Sequence, residues 1–343
     1  MLFRASPTRR DCSTLNRSVD DHRTIDREPL RVYNTSHSTQ RSGISRELTR
    51  MLQIRKLTEH IGAEIRGIDV RVRLPADTYQ RLRMALCQHA VLVFRGQEIT
   101  DPQQIQFSAG LGPLEMTIPS DPIGDGGPLG VISNVDKLGE IIPPNDVRSL
   151  YTKGNMLWHS DGSFKPIPLR ASLLAAKAIP PAGGNTEFAS LTASYETLSA
   201  PQQEQLQGLF AEHSLAHSRA QIAPNLMTES FLDDTPPVPQ PMVRLIPETG
   251  RRALLVGSYA THIVGQPLHE GQTLLAELLA WVTRPEFVYS HRWQLNDLLV
   301  YDNRCCLHRG RDWDRANCKR ILHRTTLAGD GPAPASNAPP HTP

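Results

Sequence analysis

A mostly β fold decorated by helices, a two-sheet β-sandwich or jelly roll, is predicted for residues 51–330 on three observations. Short apolar or alternating runs of strand length recur with turn residues between them. Helical periodicity is confined to segments in the first half and one near the end. No internal repeat is present.

In chain order, residues 53–57 and 62–68 read as strands. Residues 76–90 read as a helix with Tyr79, Leu82, Leu86 and His89 on one side. The apolar run 91–94 is a buried strand ended by Gly96, and Asp101-Pro102 opens a helix closed by Gly110 and Gly112. Residues 113–150 are rich in Pro, Gly and Asp, with a short strand at 131–135, and are expected to form a lid-like insertion. Residues 169–179 alternate like a half-buried strand and stop at Pro180-Pro181. Gly183-Gly184 turns the chain into a further strand, after which Ser190 caps a helix running through Tyr195 and Leu198. Ser199 and Pro201 start a polar helix, a strand follows at 210–215, and residues 233–241 read as a surface loop. Strands at 243–246 and 253–256, a helix at 269–282, and strands at 286–293, 297–303 and 319–326 complete the pattern.

Composition narrows the function. The chain has 343 residues, long enough for a substantial core, and a formal net charge of +2. No global basic field points to nucleic acid or to an anionic membrane surface, so the expected partner is small. The five cysteines, Cys12, Cys87, Cys305, Cys306 and Cys318, show no Cys-x-x-Cys spacing, which argues against a disulfide framework and a zinc ribbon and fits a reducing cytoplasm. No apolar run approaches the ~20 residues of a membrane span. The oligomeric state stays open, a homo-oligomer included.

Residues 1–50 carry ten Arg and only scattered apolar residues, and are expected to be a disordered extension. Met51 opens the first segment that reads as folded and is the favoured start. The Pro- and Ala-rich residues 331–343 are expected to form a loose tail.

The chemistry centres on Leu157-Trp158-His159-Ser160-Asp161, which offers an imidazole and a carboxylate two residues apart. Alone this is a triplet that composition produces by accident. His308, just past a predicted strand and before a turn, is the best third ligand. Two imidazoles and one carboxylate on one face of an ion leave the opposite face open, the arrangement that non-haem ferrous oxygenases use. Zinc accepts the same set in hydrolases, so that reading stays open. Arg320 and Arg324, four apart, share one face of a strand, and such a guanidinium suits the far carboxylate of a metal-chelating 2-oxo diacid. The other histidines, His213, His217, His262 and His291 among them, read as structural. No Gly-x-Ser-x-Gly occurs, and the Gly-Gly at 183–184 lacks the Lys-Ser/Thr of a phosphate loop.

Over residues 53–330 the chain resembles the taurine dioxygenase and 2,4-dichlorophenoxyacetate dioxygenase family, and looks closest to the dichlorophenoxyacetate branch. The motifs are Leu92-Val93-Phe94-Arg95-Gly96-Gln97, Trp158-His159-Ser160-Asp161, Gly183-Gly184-Asn185-Thr186-Glu187-Phe188, Glu286-Phe287-Val288-Tyr289 with His291-Arg292-Trp293, and Asp302-Asn303-Arg304-Cys305 through Leu307-His308-Arg309-Gly310. The resemblance implies a double-stranded β-helix with Fe(2+) on His159, Asp161 and His308, and with 2-oxoglutarate and O2 as cosubstrates. It implies that Thr186 and Arg320 hold the distal carboxylate of 2-oxoglutarate, and that Arg324 faces the anionic end of the substrate or the cosubstrate's proximal carboxylate. Two departures stand out. No Lys or Arg lies between Leu114 and Pro128, where that branch is expected to offer a cation to the substrate, and a one-residue difference before Arg320 leaves Lys319 as a lesser candidate.

The expected activity is hydroxylation of a small anionic substrate, an aryloxyalkanoate cleaved to a phenol and an oxo acid, with release of succinate and CO2. The alternatives are the same chemistry on a sulfonate or alkyl sulfate such as taurine, a metal-dependent hydrolase, and a non-catalytic protein that binds 2-oxoglutarate or an aromatic acid.

Overall fold

A computed structural model describes residues 52–118, 124–224 and 226–333. The expectations for residues 1–50 and 334–343, the start at Met51 and the centre of the lid lie outside these described residues.

The chain opens with strands β1 (Gln53–Lys56) and β2 (Ala63–Arg66), helix α1 (Ala76–His89), strand β3 (Val91–Phe94) and helix α2 (Asp101–Leu111). Thr100 caps α2 in a reciprocal box with Gln103, satisfying two main-chain donors at once. After the insertion carrying β4 (Leu129–Ser133) and α3 (Val147–Lys153) come β5 (Ala171–Ala178), β6 (Thr186–Ser190), α4 (Leu191–Glu196) and α5 (Ala200–Leu206). Next are β7 (Phe210–His213), α6 (Leu215–Ala220), α7 (Glu229–Asp233), β8 (Val238–Pro241), β9 (Val243–Ile246), β10 (Arg251–Leu254) and β11 (Ala260–Ile263). The last elements are α8 (Leu268–Val282), β12 (Val288–His291), β13 (Leu298–Asp302), β14 (Cys306–Gly310) and β15 (Ile321–Leu327).

The strands form a seven-stranded major sheet in the order β1-β2-β3-β13-β5-β15-β4, in which only the β2–β3 pair is parallel. A three-stranded sheet, β12-β6-β14, packs against it, and β11-β7-β8 and β10-β9 extend that second layer. This is the predicted jelly roll, a double-stranded β-helix with flanking helices.

Alternation along the central strands explains the packing. Val91, Val93, Leu174, Ala176, Leu299 and Tyr301 join Phe188 and Leu307 in the core between the sheets. The intervening residues Leu92, Phe94, Leu173, Ala175, Leu298 and Val300 bury instead against Tyr79, Leu82 and Leu86 of α1 and Phe107 of α2. Both faces of the major sheet are therefore covered, which is why 91–94 is a continuous apolar run. Each fully buried Leu or Phe contributes about 1.5–3 kcal/mol. The same covering corrects the expectation of a half-buried strand at 169–179, because the first six residues of β5 are all buried.

Three further expectations are corrected. The strand expected over 210–215 ends at His213, and Ser214 caps α6 through a bond from the His217 main-chain N–H. Residues 233–241 are not one loop, since Val238–Pro241 pairs with β7 as an edge strand, where proline is tolerated. α3, which straddles the end of the insertion, is started by an Asp146 cap. His308 lies inside a strand, β14, rather than just beyond one.

Candidate active site

The site forms where the loop after α3 meets β14. His159 and His308 make an isolated antiparallel bridge: His159 N donates to His308 O at 3.0 Å, and His308 N donates to His159 O at 2.8 Å. This exchange fixes both backbones side by side, and the ring centroids lie 4.1 Å apart. Asp161 follows two residues after His159, its main-chain N–H donating to Asn303 Oδ1 at 3.3 Å. The neighbouring Ser160 hydroxyl donates to Asn303 O. Side chains from two segments far apart in sequence thus converge, with ligand atoms all within 4.8 Å of one another.

Asp161 Oδ1 stands 3.7 Å from His159 Nε2 and 3.8 Å from His308 Nε2. These separations are too long for hydrogen bonds and fit donors that share one ion. The other oxygen, Oδ2, accepts from Ser172 Oγ at 2.7 Å and from the Tyr301 hydroxyl at 3.0 Å, and Asn303 Nδ2 donates to Ser172 at 3.0 Å. The carboxylate is therefore clamped by one oxygen and presents the other. His159 Nδ1 lies 2.7 Å from Leu157 O, a contact that requires the proton on Nδ1 and leaves the Nε2 lone pair toward Asp161.

The electrostatics agree with a cation site. Burial, with the neighbouring His308, pushes His159 down to about 3, and burial lowers His308 as well, so both rings stay neutral ligands. Burial alone would raise Asp161, but His308, Arg324, His159 and the Ser172 hydroxyl outweigh it and hold the carboxyl well below its usual range. Burial and the Asp161 charge raise the Tyr301 phenol far above its ordinary value, keeping it a donor.

Two pockets share Asn155 in their lining, and the second contains Asp161 of the triad. The first contains Asn134, Trp313, Arg315, Gly310 and Arg320. Arg320 is buried at 6% exposure and, among the described residues, forms no ion pair with a carboxylate. Its guanidinium donates to Gly184 O at 3.1 Å and Thr186 Oγ1 at 3.3 Å, and lies 5.1 Å from the Trp313 ring centre. Burial, with Arg315 nearby, lowers it to about 10. A buried cation without a counter-charge is costly, so an anionic ligand fits here. Gly184 has φ +65°, and a Cβ there would come within 3.2 Å of the Arg320 side chain, so this glycine lets the guanidinium lie against the turn. Lys319 is exposed, whereas Arg320 is buried.

The second pocket contains Asp161, Arg324, Arg219, Tyr151, Phe164 and Tyr259. Arg324 Nη1 stands 3.7 Å from Asp161 Oδ1, and the Arg219 guanidinium carbon lies 4.5 Å from the Tyr151 ring centre. Of the residues expected from the sequence, the structure gathers His159, Asp161 and His308 in one cluster with Arg324 beside Asp161, and pairs Arg320 with Thr186. The sequence reading missed Arg219, because no helix was expected at 215–220; the Ser214 cap is the signal that marks one. It also missed Tyr301, which strand alternation with Leu299 turns toward the core between the sheets.

Residues 53–326 match the family model described as "Taurine catabolism dioxygenase TauD, TfdA family". The chain belongs to that family. It is 39% identical over 272 residues to the alpha-ketoglutarate-dependent 2,4-dichlorophenoxyacetate dioxygenase of Cupriavidus pinatubonensis, covering 78% of this chain and 94% of that protein. It is 42% identical over 246 residues to the enzyme of the same name from Burkholderia sp. strain RASC, covering 71% and 82%. Among solved structures it is similar to AAD-2 in complex with Mn(II) and N-oxalylglycine, with a TM-score of 0.76 and 38% identity over 82% of this chain and 98% of that one. The chain is a non-haem iron dioxygenase dependent on 2-oxoglutarate and O2, and the His–Asp–His cluster is a fitting donor set for the metal.

Proposed function

We propose that His159, Asp161 and His308 hold the iron, that Thr186 and Arg320 hold the distal carboxylate of 2-oxoglutarate, and that the substrate is an aryloxyalkanoate. The observation that carries this reading is a clamped His–Asp–His cluster together with a buried arginine that, among the described residues, no carboxylate neutralises. When bound, iron with 2-oxoglutarate and dioxygen supplies the oxidation of a C–H bond, with succinate and CO2 as coproducts.

The chain's own residues bind, orient and exclude. Arg324 beside Asp161 meets anionic groups gathered near the metal. Arg219 supplies a second cation in the same pocket, which answers the missing Lys or Arg between Leu114 and Pro128. Phe164 and Tyr259, edge to face at 5.1 Å, present apolar surface to an aryl ring and keep water from the reacting carbon. Hydroxylation beside an ether oxygen gives a hemiacetal, which collapses to a phenol and an oxo acid. Cys87, Cys305, Cys306 and Cys318 are free thiols, which supports a reducing cytoplasmic setting.

The test is a panel of aryloxyacetates, aryloxypropionates, sulfonates and alkyl sulfates with Fe(II), 2-oxoglutarate and air. Equimolar succinate and phenol from an aryloxyalkanoate are expected. Faster succinate release with an alkyl sulfate or taurine would transfer the substrate assignment to that class.

A further inference from the structure

Thr186 opens β6, where it pairs in register with His291 of β12, and Trp293 follows two residues after His291. The Trp293 indole donates from Nε1 to Thr186 Oγ1 at 3.0 Å, and Arg320 Nη2 donates to the same oxygen at 3.3 Å. A threonine hydroxyl has two lone pairs and one proton, and neither an indole N–H nor a guanidinium accepts a hydrogen bond. Both lone pairs are thus engaged by groups that only donate. The hydroxyl proton points away from both, and Thr186 donates to no group among the described residues.

We propose that Trp293 is a positioning residue: its indole N–H turns the Thr186 hydroxyl into a donor aimed at the distal carboxylate of 2-oxoglutarate, making the site selective for a 2-oxo diacid over a 2-oxo monoacid. The inference rests on the reading that Thr186 and Arg320 hold that carboxylate. With the indole in place, an incoming carboxylate oxygen meets an O–H and a guanidinium together. Without it, the hydroxyl regains a free lone pair and a second rotamer that faces the carboxylate with an acceptor, which repels it.

The indole is held for this task. Its ring stands edge-on to His291 at 4.7 Å and 83°. His291 is fully buried between the Tyr289 hydroxyl, 2.8 Å from Nδ1, and Asp297 Oδ2, 3.0 Å from Nε2, and Arg95 pairs with Asp297 in turn. A continuous chain of contacts therefore fixes the ring plane from the protein surface inward. Trp293 itself is part-buried and packs against the edge of the core between the sheets rather than within it.

The test uses the full chain with Mn(II) under anaerobic conditions, titrated with 2-oxoglutarate and, separately, with 2-oxobutyrate, which lacks the distal carboxylate. Trp293→Phe is expected to weaken 2-oxoglutarate binding about tenfold while leaving 2-oxobutyrate unchanged. In a Thr186→Val background the same substitution is expected to have no further effect. Site-specific incorporation of the benzothiophene isostere of tryptophan keeps the ring and removes only the N–H, and should give the same selective loss if the phenylalanine variant folds poorly. Equal weakening of both ligands, or losses that add to that of Thr186→Val, would overturn the inference alone. A wild-type protein that binds 2-oxoglutarate no better than 2-oxobutyrate would overturn both the inference and the reading beneath it.

Discussion

His159 and His308 exchange both of their main-chain hydrogen bonds, at 3.0 and 2.8 Å, so backbone pairing alone holds the two proposed iron ligands side by side. Gly257 is pressed against that pair. It has φ +130°, and a Cβ there would lie 3.0 Å from Trp158 O and 3.5 Å from His159 Cα, both main-chain atoms with little room to yield. Gly257→Ala is therefore expected to lower iron affinity about tenfold and stability by about 1–3 kcal/mol, read by metal titration and urea unfolding. Gly265→Ala, at φ +80° with open space around it, serves as the control and should leave metal affinity unchanged.

Ser172 and Tyr301 hold Asp161 Oδ2 from two sides. Ser172→Ala and Tyr301→Phe are each expected to weaken iron binding about 10–100-fold while the fold persists, because the carboxylate then swings away from the two imidazoles. Isothermal titration of the metal-free protein reads this directly, and unchanged affinity in both variants would refute the clamp.

Arg219 and Arg324 share the pocket that holds Asp161, and they should separate by ligand. Arg219→Leu is expected to cut kcat/KM for an aryloxyacetate about 10²–10³-fold, mainly through KM, with the KM for 2-oxoglutarate unmoved. A parallel rise in both KM values would show that Arg219 serves the cosubstrate or the fold instead.

Acid sensitivity follows from His213. It is 1% exposed, and burial, with Arg244 nearby, pushes its pKa down to about 3. An unfolded histidine titrates near about 6.5. Between these values the unfolded chain binds a proton that the folded one does not, so stability is full above about pH 6.5 and falls as the pH drops. At pH 5 one such histidine costs about 2 kcal/mol. His213→Asn should shrink the difference in unfolding free energy between pH 7.5 and pH 5 by that amount, whatever it costs at neutral pH, and an unaltered slope would contradict the assignment.

Most of the core was readable because strand alternation and helix period are properties of neighbouring residues, as in Val91–Phe94 and Ala76–His89. What escaped was short or depended on distant partners. β14 has five residues, two of them Arg309 and Gly310, and its strand character comes from pairing with β6. α6 has six residues and gains its place by burying Leu215 and Arg219 against the site. The three side chains proposed for the metal are legible by type and motif. Their convergence is not, because it depends on one backbone bridge between segments far apart in the chain.

The central claim is that His159, Asp161 and His308 form one iron site able to take 2-oxoglutarate as a chelate. Anaerobic addition of 2-oxoglutarate to the protein loaded with Fe(II) should produce a weak visible charge-transfer band that saturates at one equivalent of iron and is absent from His308→Ala. A well-folded wild-type protein that shows no band, or a band that persists in His308→Ala, would contradict it.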